Sequence, residues 1–403
     1  MEIIEQIKHY EKILSAYGAL EGGGLTRLLY TDEWLECQKR LKEEMEKLGM
    51  KAAFDEVGNL FGLIEGSEEG VVSTGSHIDT VVRGGNLDGQ FGIVGGLVAI
   101  KNLLEKYGRP KKSLQLISLA EEEGSRFPTV FWGSKNVLGL QDNEAVKDIK
   151  DSEGLNFVNE MHRCGFDFKK DSKAREVGSF VELHIEQGNL LEKLNKEIGV
   201  INAITGQKRY RVKLRGQANH AGTTRMEYRK DAAYGYALIV KAAIEKAIEM
   251  DPILVCTFGS VELIPNTVNV VPGECNFSID CRHPQGQVLD EFASWLEETM
   301  VQIAEEKGLE IEIDKWMDER PVPMDEKMIA LLENTAKDLG LNYELMHSGA
   351  GHDSQIFAEK VPTAMIFVPS IGGISHNINE ATAYEDQARG CLLLENALYK
   401  LSY

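Results

Sequence analysis

The chain has 403 residues, of which 43% are hydrophobic and 27% charged, the composition of a globular protein long enough for two domains with sizeable cores. The formal net charge of −20 argues against nucleic acid or an anionic membrane as a partner, because both are bound through clustered lysine and arginine. No apolar run of about 18 residues occurs, so no transmembrane helix is expected. The charged, amphipathic start predicts a helix rather than a signal peptide. Six scattered cysteines without a Cys-x-x-Cys pair predict reduced, buried thiols in a cytoplasmic protein.

The first part of the chain alternates between helical and strand patterns. In order, the patterns predict a helix to about residue 17, a glycine-rich turn at 21–24 leading to Leu25-Thr26-Arg27, a helix capped by Thr31 or Asp32, strands within 51–65, a buried strand at 71–74, a helix over 92–104 and a buried strand at 114–119. Strands that alternate with helices are typical of a parallel α/β sheet. We therefore expect an α/β fold.

A histidine and two aspartates follow the buried strand at 71–74. His77 and Asp79 come at its carboxyl end, where open α/β sheets place their ligand sites, and Asp79 is spaced to orient the His77 ring. Asp88 lies in a glycine-rich loop whose backbone can approach a ligand closely, which suits a carboxylate that bridges two cations. Taken alone, His77 and Asp79 are better explained as a hydrogen-bonded histidine and a capping aspartate, but the rest of the chain favours a metal site.

Three consecutive glutamates follow the strand at 114–119. Such a run is usually a solvated charged surface, but Glu121, Glu122 and Glu123 come directly after a buried strand and end in a glycine turn. Adjacent carboxylates at a strand end can divide two tasks, because one can bind a metal while its neighbour accepts a proton from metal-bound water.

The segment 180–188 carries a further histidine between carboxylates. Strand alternation places Glu182, His184 and Glu186 on one face, the spacing of a metal ligand with supporting carboxylates. An ordinary half-exposed strand is the alternative interpretation.

A self-contained unit is predicted between residues 207 and 318. Its elements follow as a strand at 208–214, a helix at 229–248, strands at 254–263 and 276–282, a helix at 287–307 and a strand at 309–316. This βαββαβ order is typical of a ferredoxin-like fold. We therefore predict three chain segments: the first part of a catalytic domain at 1–206, an inserted domain at 207–318, and the second part of the catalytic domain at 319–403.

The inserted unit and the end of the chain contain further polar candidates. His220 and Arg282 could clamp an anionic substrate, with Arg282 binding in bidentate fashion, but Arg282 could equally pair with Asp280. His352 and His376 lie in glycine-flanked loops near the end of the chain and are candidates for a late ligand. Histidines, aspartate and glutamate in this arrangement outline a dinuclear metal site.

The chain resembles the metal-dependent amidohydrolases of the M20 peptidase superfamily, and within it the branch that cleaves ureido groups. The motifs that carry the resemblance are, in chain order, Ser-His-Ile-Asp-Thr, Gly-Gly-Asn-Leu-Asp-Gly, Glu-Glu-Gly-Ser-Arg-Phe, Glu-Leu-His-Ile-Glu-Gln-Gly, Asn-His-Ala-Gly-Thr-Thr and Ile-Ser-His-Asn. They cover nearly the whole chain. Arg225, where the family has proline, and Asn379-Glu380 depart from the pattern but replace no ligand.

The resemblance implies a set of site residues. The expected ligands of two divalent cations, Mn²⁺ or Zn²⁺, are His77, Asp88, Glu123, His184 and His376. His77 and His184 would bind one cation and Glu123 and His376 the other, with Asp88 bridging them. The expected catalytic residues are Glu122 as general base, Asp79 as the partner of His77, and His220. The expected substrate-binding residues are Gln187, His220, Asn269 and Arg282, with Arg282 on a substrate carboxylate.

The resemblance also implies an architecture and an activity. A zinc-peptidase-like catalytic α/β domain would carry the inserted ferredoxin-like domain as a dimerisation lid, and His220 would act in the active site of the partner in a homodimer. The expected reaction is hydrolysis of a ureido C–N bond in a small molecule. The motifs after Phe127 favour allantoate over an N-carbamoyl-L-amino acid or β-ureidopropionate. A peptidase is a weaker alternative because the ureido-branch motifs replace the peptidase ones, and an inactive metal-binding homologue is disfavoured because every ligand and the base are present.

Overall fold

The computed structural model describes residues 2–167 and 175–403. The helices are α1 (Ile3–Leu14), α2 (Asp32–Lys47), α3 (Gln90–Tyr107), α4 (Trp132–Val137), α5 (Phe157–Arg163), α6 (Leu190–Leu194), α7 (Ala232–Met250), α8 (Gly286–Glu306), α9 (Glu326–Asp338), α10 (Asp353–Phe357) and α11 (Tyr384–Ser402). The strands are β1 (Lys51–Phe54), β2 (Leu60–Ile64), β3 (Val71–His77), β4 (Ser113–Leu119), β5 (Ser179–Ile185), β6 (Ile198–Ile204), β7 (Gly206–Arg215), β8 (Asn219–His220), β9 (Val255–Thr257), β10 (Val261–Ile264), β11 (Val270–Val271), β12 (Glu274–His283), β13 (Glu310–Glu319), β14 (Val322–Pro323), β15 (Tyr343–Ser348) and β16 (Thr363–Val368).

The chain divides into two compact units. The first comprises Met1–Asn202 and Met324–Tyr403, and the second comprises Ala203–Pro323. The range 207–318 proposed from the sequence lies inside the second unit. Each unit has its own hydrophobic core, and the two cores share no buried residue among those described.

The first unit is built on a mixed sheet with a parallel centre. Its strands follow the order β1-β2-β4-β3-β5-β16-β6, with β15 also paired to β6. The four central strands, β4, β3, β5 and β16, are parallel, whereas the outer pairs are antiparallel. The expected α/β fold is therefore confirmed, and the expectation of a parallel sheet holds for its centre. The carboxyl ends of β3 and β5 lie at the same edge of this sheet.

Close packing of α3 fixes the position of the loop that contains Asp88. A Cβ atom on Gly92 would lie 2.5 Å from the carbonyl oxygen of Leu183 in β5 and 2.7 Å from Cβ of Ser76 in β3, so only glycine allows the helix to pack so closely. Because α3 begins at Gln90, this contact holds Asp88 against the ends of β3 and β5.

Local signals in the sequence account well for the elements around the sheet. Thr31 caps α2, as predicted, by accepting a hydrogen bond from the backbone nitrogen of Trp34 at 3.3 Å. The buried face of α2 carries Trp34, Leu41 and Met45, all without exposed surface. Residues 51–65 form the predicted hairpin arms, β1 and β2.

The prediction for the segment 180–188 was wrong at one residue. β5 ends at Ile185, so Glu186 lies beyond the strand and does not share a strand face with His184. The carboxylate of Glu186 instead accepts hydrogen bonds from the backbone nitrogens of Leu190 and Leu191 at the start of α6. Every residue of β5 is buried, so alternation along this strand does not separate a core face from a solvent face.

The second unit is an antiparallel sheet with two helices. Its elements follow the order β7, α7, β9 and β10, β12, α8, β13, which matches the predicted βαββαβ order. The sheet order is β10-β12-β7-β13, with β9 also paired to β12. Residues of β7, β12, α7 and α8 share one hydrophobic core. The short strands β8 and β11 form a separate ribbon.

The helices and the cysteines bear on two further expectations, the absence of a transmembrane helix and the presence of reduced, buried thiols. No helix in that part of the chain combines the length and the apolar character needed to cross a membrane. All six cysteines are free thiols. The expectation that all six are buried was wrong for Cys256, which is half-buried at the sheet edge, opposite Cys281.

Candidate metal centre

Asp88 lies at the centre of a cluster of histidines and carboxylates in the first unit. Its Oδ1 is 3.1 Å from Nε2 of His184 and 3.9 Å from Nε2 of His77. Its Oδ2 is 3.2 Å from Nε2 of His376, which is also 3.4 Å from Oε2 of Glu123. In two sets, His77 with Asp88 and His184, and Asp88 with Glu123 and His376, the ligand atoms lie within 4.8 Å of one another. The structure thus brings together the five residues expected to bind metal.

Hydrogen bonds assign the protonation of two of these rings. Nδ1 of His77 lies 3.0 Å from the carbonyl oxygen of Asp79, and Nδ1 of His184 lies 2.9 Å from that of Ile185. A carbonyl oxygen only accepts, so each Nδ1 carries the proton. Nε2 of His184 also accepts a hydrogen bond from the backbone nitrogen of Gly89. Both Nε2 atoms thus lie on the side of the ring near the carboxylate of Asp88, with Nδ1 held by a backbone carbonyl, as in metal-binding histidines.

Asp79 connects the His77 ring to the loop of glutamates. Its Oδ1 is 3.5 Å from Nδ1 of His77. Its Oδ2 accepts hydrogen bonds from the backbone nitrogens of Glu122 and Glu123, each at 3.1 Å. The carboxylate of Asp79 thus holds the following loop, while its backbone carbonyl oxygen, at 3.0 Å, holds the His77 ring.

The loop Glu121-Glu122-Glu123 places three carboxyl groups close together in a largely buried position. Burial and, next, the nearby Asp88 carboxylate raise the pKa of Glu123 to about 7, although His77 and His376 act in the opposite direction. Burial also raises the pKa of Glu122 well above its usual range, against the effect of His77. Oε2 of Glu122 lies 3.8 Å from Nε2 of His77, so this carboxylate borders the cluster. Glu121 points away, towards the backbone of Gly124.

The donor set of this cluster fits a divalent cation. Imidazole nitrogens and carboxylate oxygens suit Zn²⁺ and Mn²⁺. At 3–4 Å an unprotonated imidazole nitrogen and a carboxylate repel, and the repulsion is removed either by a proton on the ring or by a cation between them. Oε1 of Glu123 is buried without a hydrogen-bond partner in the described part of the chain, which leaves it available as a ligand atom.

Three polar side chains that hold Asp88 come from distant segments. Nε2 of Gln187 donates to Oδ2 of Asp88 at 2.8 Å, and Oγ of Ser375 donates to the same oxygen at 3.0 Å. Glu380 accepts hydrogen bonds from the backbone nitrogens of Leu87 and Asp88, and its other oxygen lies 2.9 Å from Oγ of Ser375. Sequence reasoning missed Ser375 and Glu380 as supporting residues. The only signal was their position beside His376.

His352 belongs to a separate, hydrogen-bonded group. One of its ring nitrogens lies within 4.8 Å of a carboxylate oxygen of Glu182 and a ring nitrogen of His184, but its Nε2 is already 2.9 Å from Oγ of Ser348. Both oxygens of Glu182 are occupied, one by Ser76 and the other by Ser354. These groups are satisfied by the protein itself, which makes His352 a weaker ligand candidate than His376.

The other expected site residues lie in the second unit. The backbone nitrogen of Ala221, next to His220, donates to the carbonyl oxygen of Asn269 at 3.0 Å, so the chain brings His220 and Asn269 close together. Nδ1 of His220 accepts a hydrogen bond from the backbone nitrogen of Gly222 at 3.0 Å. The neutral ring therefore carries its proton on Nε2, as a donor. His220 is exposed.

Arg282 is paired with Asp280. Its Nε and Nη2 donate to the two oxygens of Asp280, each at 2.9 Å. Nε of Arg209 donates to the same carboxylate at 2.8 Å. Burial opposes ionisation of Asp280, but the hydrogen bonds and charges of Arg282 and Arg209 lower its pKa overall. Two guanidinium groups therefore share the carboxylate of Asp280.

An α/β sheet with histidines and carboxylates gathered at its strand ends defines the class of candidate metal-dependent hydrolases. Residues 73–400 match the model of peptidase family M20/M25/M40, and the chain belongs to this family. The expected superfamily is therefore confirmed.

Relatives and solved structures are similar along almost the whole chain. The chain is 52% identical over 394 residues to an allantoate amidohydrolase of Escherichia coli (strain K12), covering 97% of this chain and 96% of that one. It is 42% identical over 407 residues to an allantoate amidohydrolase of Bacillus subtilis (strain 168), covering 100% and 99%. Its structure is similar to that of an amidase of the hydantoinase/carbamoylase family from Burkholderia multivorans, with a TM-score of 0.95, 31% identity, and coverage of 98% and 97%.

Proposed function

We propose that the chain hydrolyses a ureido C–N bond of allantoate, giving ureidoglycine, ammonia and carbon dioxide, in the degradation of allantoin and purines. The observation that carries the reaction class is the cluster around Asp88, with the buried carboxylate of Glu122 at its border. The substrate is supported by 52% and 42% identity to two allantoate amidohydrolases.

We assign two divalent cations, Mn²⁺ or Zn²⁺, to this cluster. His77, Asp88 and His184 would hold one, while Asp88, Glu123 and His376 would hold the other. When bound, such cations lower the pKa of water and polarise a carbonyl oxygen.

Glu122 acts as base and then as acid. It accepts a proton from the water that attacks the ureido carbonyl, and it returns this proton to the leaving nitrogen, which departs as ammonia. The remaining carbamate loses carbon dioxide and leaves ureidoglycine. Burial raises the pKa of Glu122, which suits a carboxyl group that must take up and release a proton in one cycle.

The second unit supplies groups that bind the substrate. The Nε2–H of His220 donates to the oxygen that becomes negative in the transition state, an interaction that is strong when the donor is already oriented. Asn269 contacts the substrate beside it. Arg282 binds the carboxylate of allantoate. From the first unit, Gln187 contacts the ureido group through its Oε1, while its Nε2 holds Asp88.

We assign the second unit the role of a dimerisation lid, so that His220 serves the active site of the partner in a homodimer. β9 and β10 form an edge of its sheet, and exposed apolar side chains support an interface. They include Met226, Tyr228, Val255, Val261 and Val268. The charge of −20 argues against nucleic acid or an anionic membrane as partner, and the free thiols support a cytoplasmic location.

Ammonia release tests this function. Metal-depleted protein is resupplied with Mn²⁺ or Zn²⁺ and given allantoate or N-carbamoyl-L-amino acids. Metal-dependent release from allantoate is expected. Release only from the carbamoyl compounds would assign the chain to the alternative activity, which the similarity to a hydantoinase/carbamoylase-family amidase favours. Release from neither would contradict both and favour an inactive homologue.

A further inference from the structure

The segment Leu25-Thr26-Arg27 has no role in the site described so far, yet it runs along the loop between His77 and Asp88. The backbone nitrogen of Leu25 donates to the carbonyl oxygen of Gly84 at 3.0 Å, and that of Thr80 donates to the carbonyl oxygen of Arg27 at 3.1 Å. The backbone nitrogen of Arg27 donates to Oγ1 of Thr80 at 2.9 Å. The segment Leu25-Thr26-Arg27 is therefore hydrogen-bonded to the loop between His77 and Asp88 through both its first and its last residue.

The side chain of Arg27 is buried without exposed surface and joins three parts of the first unit. Its Nε donates to the carbonyl oxygen of Ile78 at 2.6 Å. Its Nη1 donates to the carbonyl oxygens of Leu14 and Tyr17, at 2.9 and 3.2 Å. Its Nη2 donates to Oε1 of Gln90 at 2.7 Å. One guanidinium group thus links the end of α1, the loop after β3 and the start of α3.

All of these partners are neutral oxygens. Among residues 2–167 and 175–403, the guanidinium of Arg27 has no ion pair with a carboxylate. Removing a charged group from water is costly unless it is well compensated. Within these ranges Arg27 therefore contributes no salt bridge, and its role lies in the backbone and side-chain oxygens that it holds in place.

Two of these interactions end beside the proposed metal ligands. Ile78 lies between His77 and Asp79, so its carbonyl belongs to the turn that orients the His77 ring. Gln90 is two residues after Asp88, and its amide nitrogen is held by Oγ of Ser15 and the carbonyl oxygen of Asn86, both at 2.8 Å. The carboxamide of Gln90 can therefore not turn away from Arg27 without losing other hydrogen bonds.

We propose that Arg27 is a positioning residue that fixes the turn after His77 relative to Asp88, and through it the geometry of the metal site. This inference rests on the proposed function. Arg27 contacts no reacting atom. Its effect is transmitted through Ile78 and Gln90, and its loss would leave their oxygens without a partner in the protein interior.

The chain offers a matched control on the same helix. Asn102, near the other end of α3, is also a buried hydrogen-bond hub: it accepts from Nε2 of Gln6 in α1 and donates to Oε2 of Glu395 in α11, both at 3.0 Å. The substitution Asn102→Ala removes these two buried hydrogen bonds about 18 Å along the helix from Gln90. It should lower Tm without changing the metal site.

The test compares Arg27→Met, Arg27→Lys, Gln90→Ala and Asn102→Ala in the full chain. The measurements are the Kd for Mn²⁺, by competition with a chelating dye, and the visible absorption spectrum of the Co²⁺-loaded protein. We expect Arg27→Met to weaken Mn²⁺ binding about 10- to 100-fold and to alter the Co²⁺ spectrum. Arg27→Lys and Gln90→Ala should show smaller changes in the same direction, and kcat should fall while KM changes little.

Equal Mn²⁺ affinities and Co²⁺ spectra in wild type and Arg27 variants, with only Tm lowered as in Asn102→Ala, would overturn the proposal. If Arg27→Met does not fold, Arg27→Lys and Gln90→Ala decide by the same criterion. Metal binding does not depend on the substrate. A wild type that binds Mn²⁺ but releases no ammonia from allantoate would refute the proposed substrate and leave the Arg27 test valid. A wild type that binds neither cation would refute the metal site and this inference with it.

Discussion

The candidate metal centre of the first unit and the polar group of the second unit differ in how their side chains are held. Asp88 is buried and has contacts from Gln187, Ser375 and two histidines. His220 is exposed, and its ring makes one hydrogen bond, to the adjacent backbone of Gly222. The cluster around Asp88 is fixed before any ligand arrives, whereas the hydrogen bond described for the His220 ring comes from its own turn.

This difference fits the roles that we propose for the two groups, which are metal binding in the first unit and substrate binding in the second. Like charges can be held close together only by a rigid, buried frame, and such a frame gives a metal site its geometry. Residues that meet a substrate must remain accessible until it binds. Substitutions in the two units should therefore change different measurements: chemistry or metal affinity in the first unit, and transition-state or substrate binding without loss of metal in the second.

The largest effect is expected for Glu122→Gln. The amide keeps the shape of the side chain but cannot accept the proton, so kcat should fall about 10²- to 10⁴-fold. Metal content, measured by elemental analysis, should remain at the wild-type level. The matched control is Glu121→Gln, because Glu121 belongs to the same buried loop but points towards Gly124. Wild-type turnover in Glu122→Gln would refute its role as the base.

Substitution of His220 should have the next largest effect. His220→Ala removes the Nε2–H donor, and loss of one such donor costs about 10²- to 10³-fold in kcat. The Kd for Mn²⁺ should not change. A fall in metal affinity would contradict the proposal that only the first unit binds the metal and that the second unit binds the substrate.

Mixing two inactive variants tests whether His220 acts across a dimer. Subunits carrying Glu122→Gln are mixed with subunits carrying His220→Ala under conditions of exchange. If His220 serves the partner, one site of each mixed dimer has both wild-type groups, and activity should recover to about a quarter of wild type after random exchange. No recovery, with mixed dimers confirmed by differential tagging, would place His220 in the active site of its own subunit.

Much of the metal centre could be predicted because its residues occur in short motifs at strand ends. His77, Asp88 and His376 are each marked by glycines or by a preceding strand. Their supporting contacts could not be predicted in the same way. Glu380 holds the backbone of Leu87 and Asp88 from almost the other end of the chain, and no local pattern encodes a contact over such a separation.

The fold shows the same limit. In the second unit the predicted βαββαβ order matches the structure, and its long strands β7 and β12 alternate between buried and more exposed residues. In β5, by contrast, burial on both faces removed the periodic signal, and the expected place of Glu186 was wrong for that reason. The antiparallel pairs of β2 with β4 and of β6 with β16 join segments that are far apart in the chain, which local patterns do not specify.

A smaller effect is expected for Arg282→Lys. Lysine keeps the charge but cannot bind a carboxylate in bidentate fashion, so KM for allantoate should rise about tenfold, with a smaller change in kcat. Arg209→Lys is the matched control, because Arg209 shares the carboxylate of Asp280. Equal effects of the two substitutions would indicate that Arg282 serves mainly to pair with Asp280.

The smallest effect should come from Ser375→Ala, which tests how firmly the first unit holds Asp88. The hydroxyl of Ser375 donates to the same Asp88 oxygen as Nε2 of Gln187, at 3.0 and 2.8 Å. Because one donor remains when the other is removed, the Kd for Mn²⁺ should rise about tenfold or less. Ser375→Ala combined with Gln187→Leu removes both donors and should weaken binding by more than the sum of the two single free-energy changes. Additive effects in this double-mutant cycle, measured by chelator competition, would contradict the view that Asp88 is held redundantly.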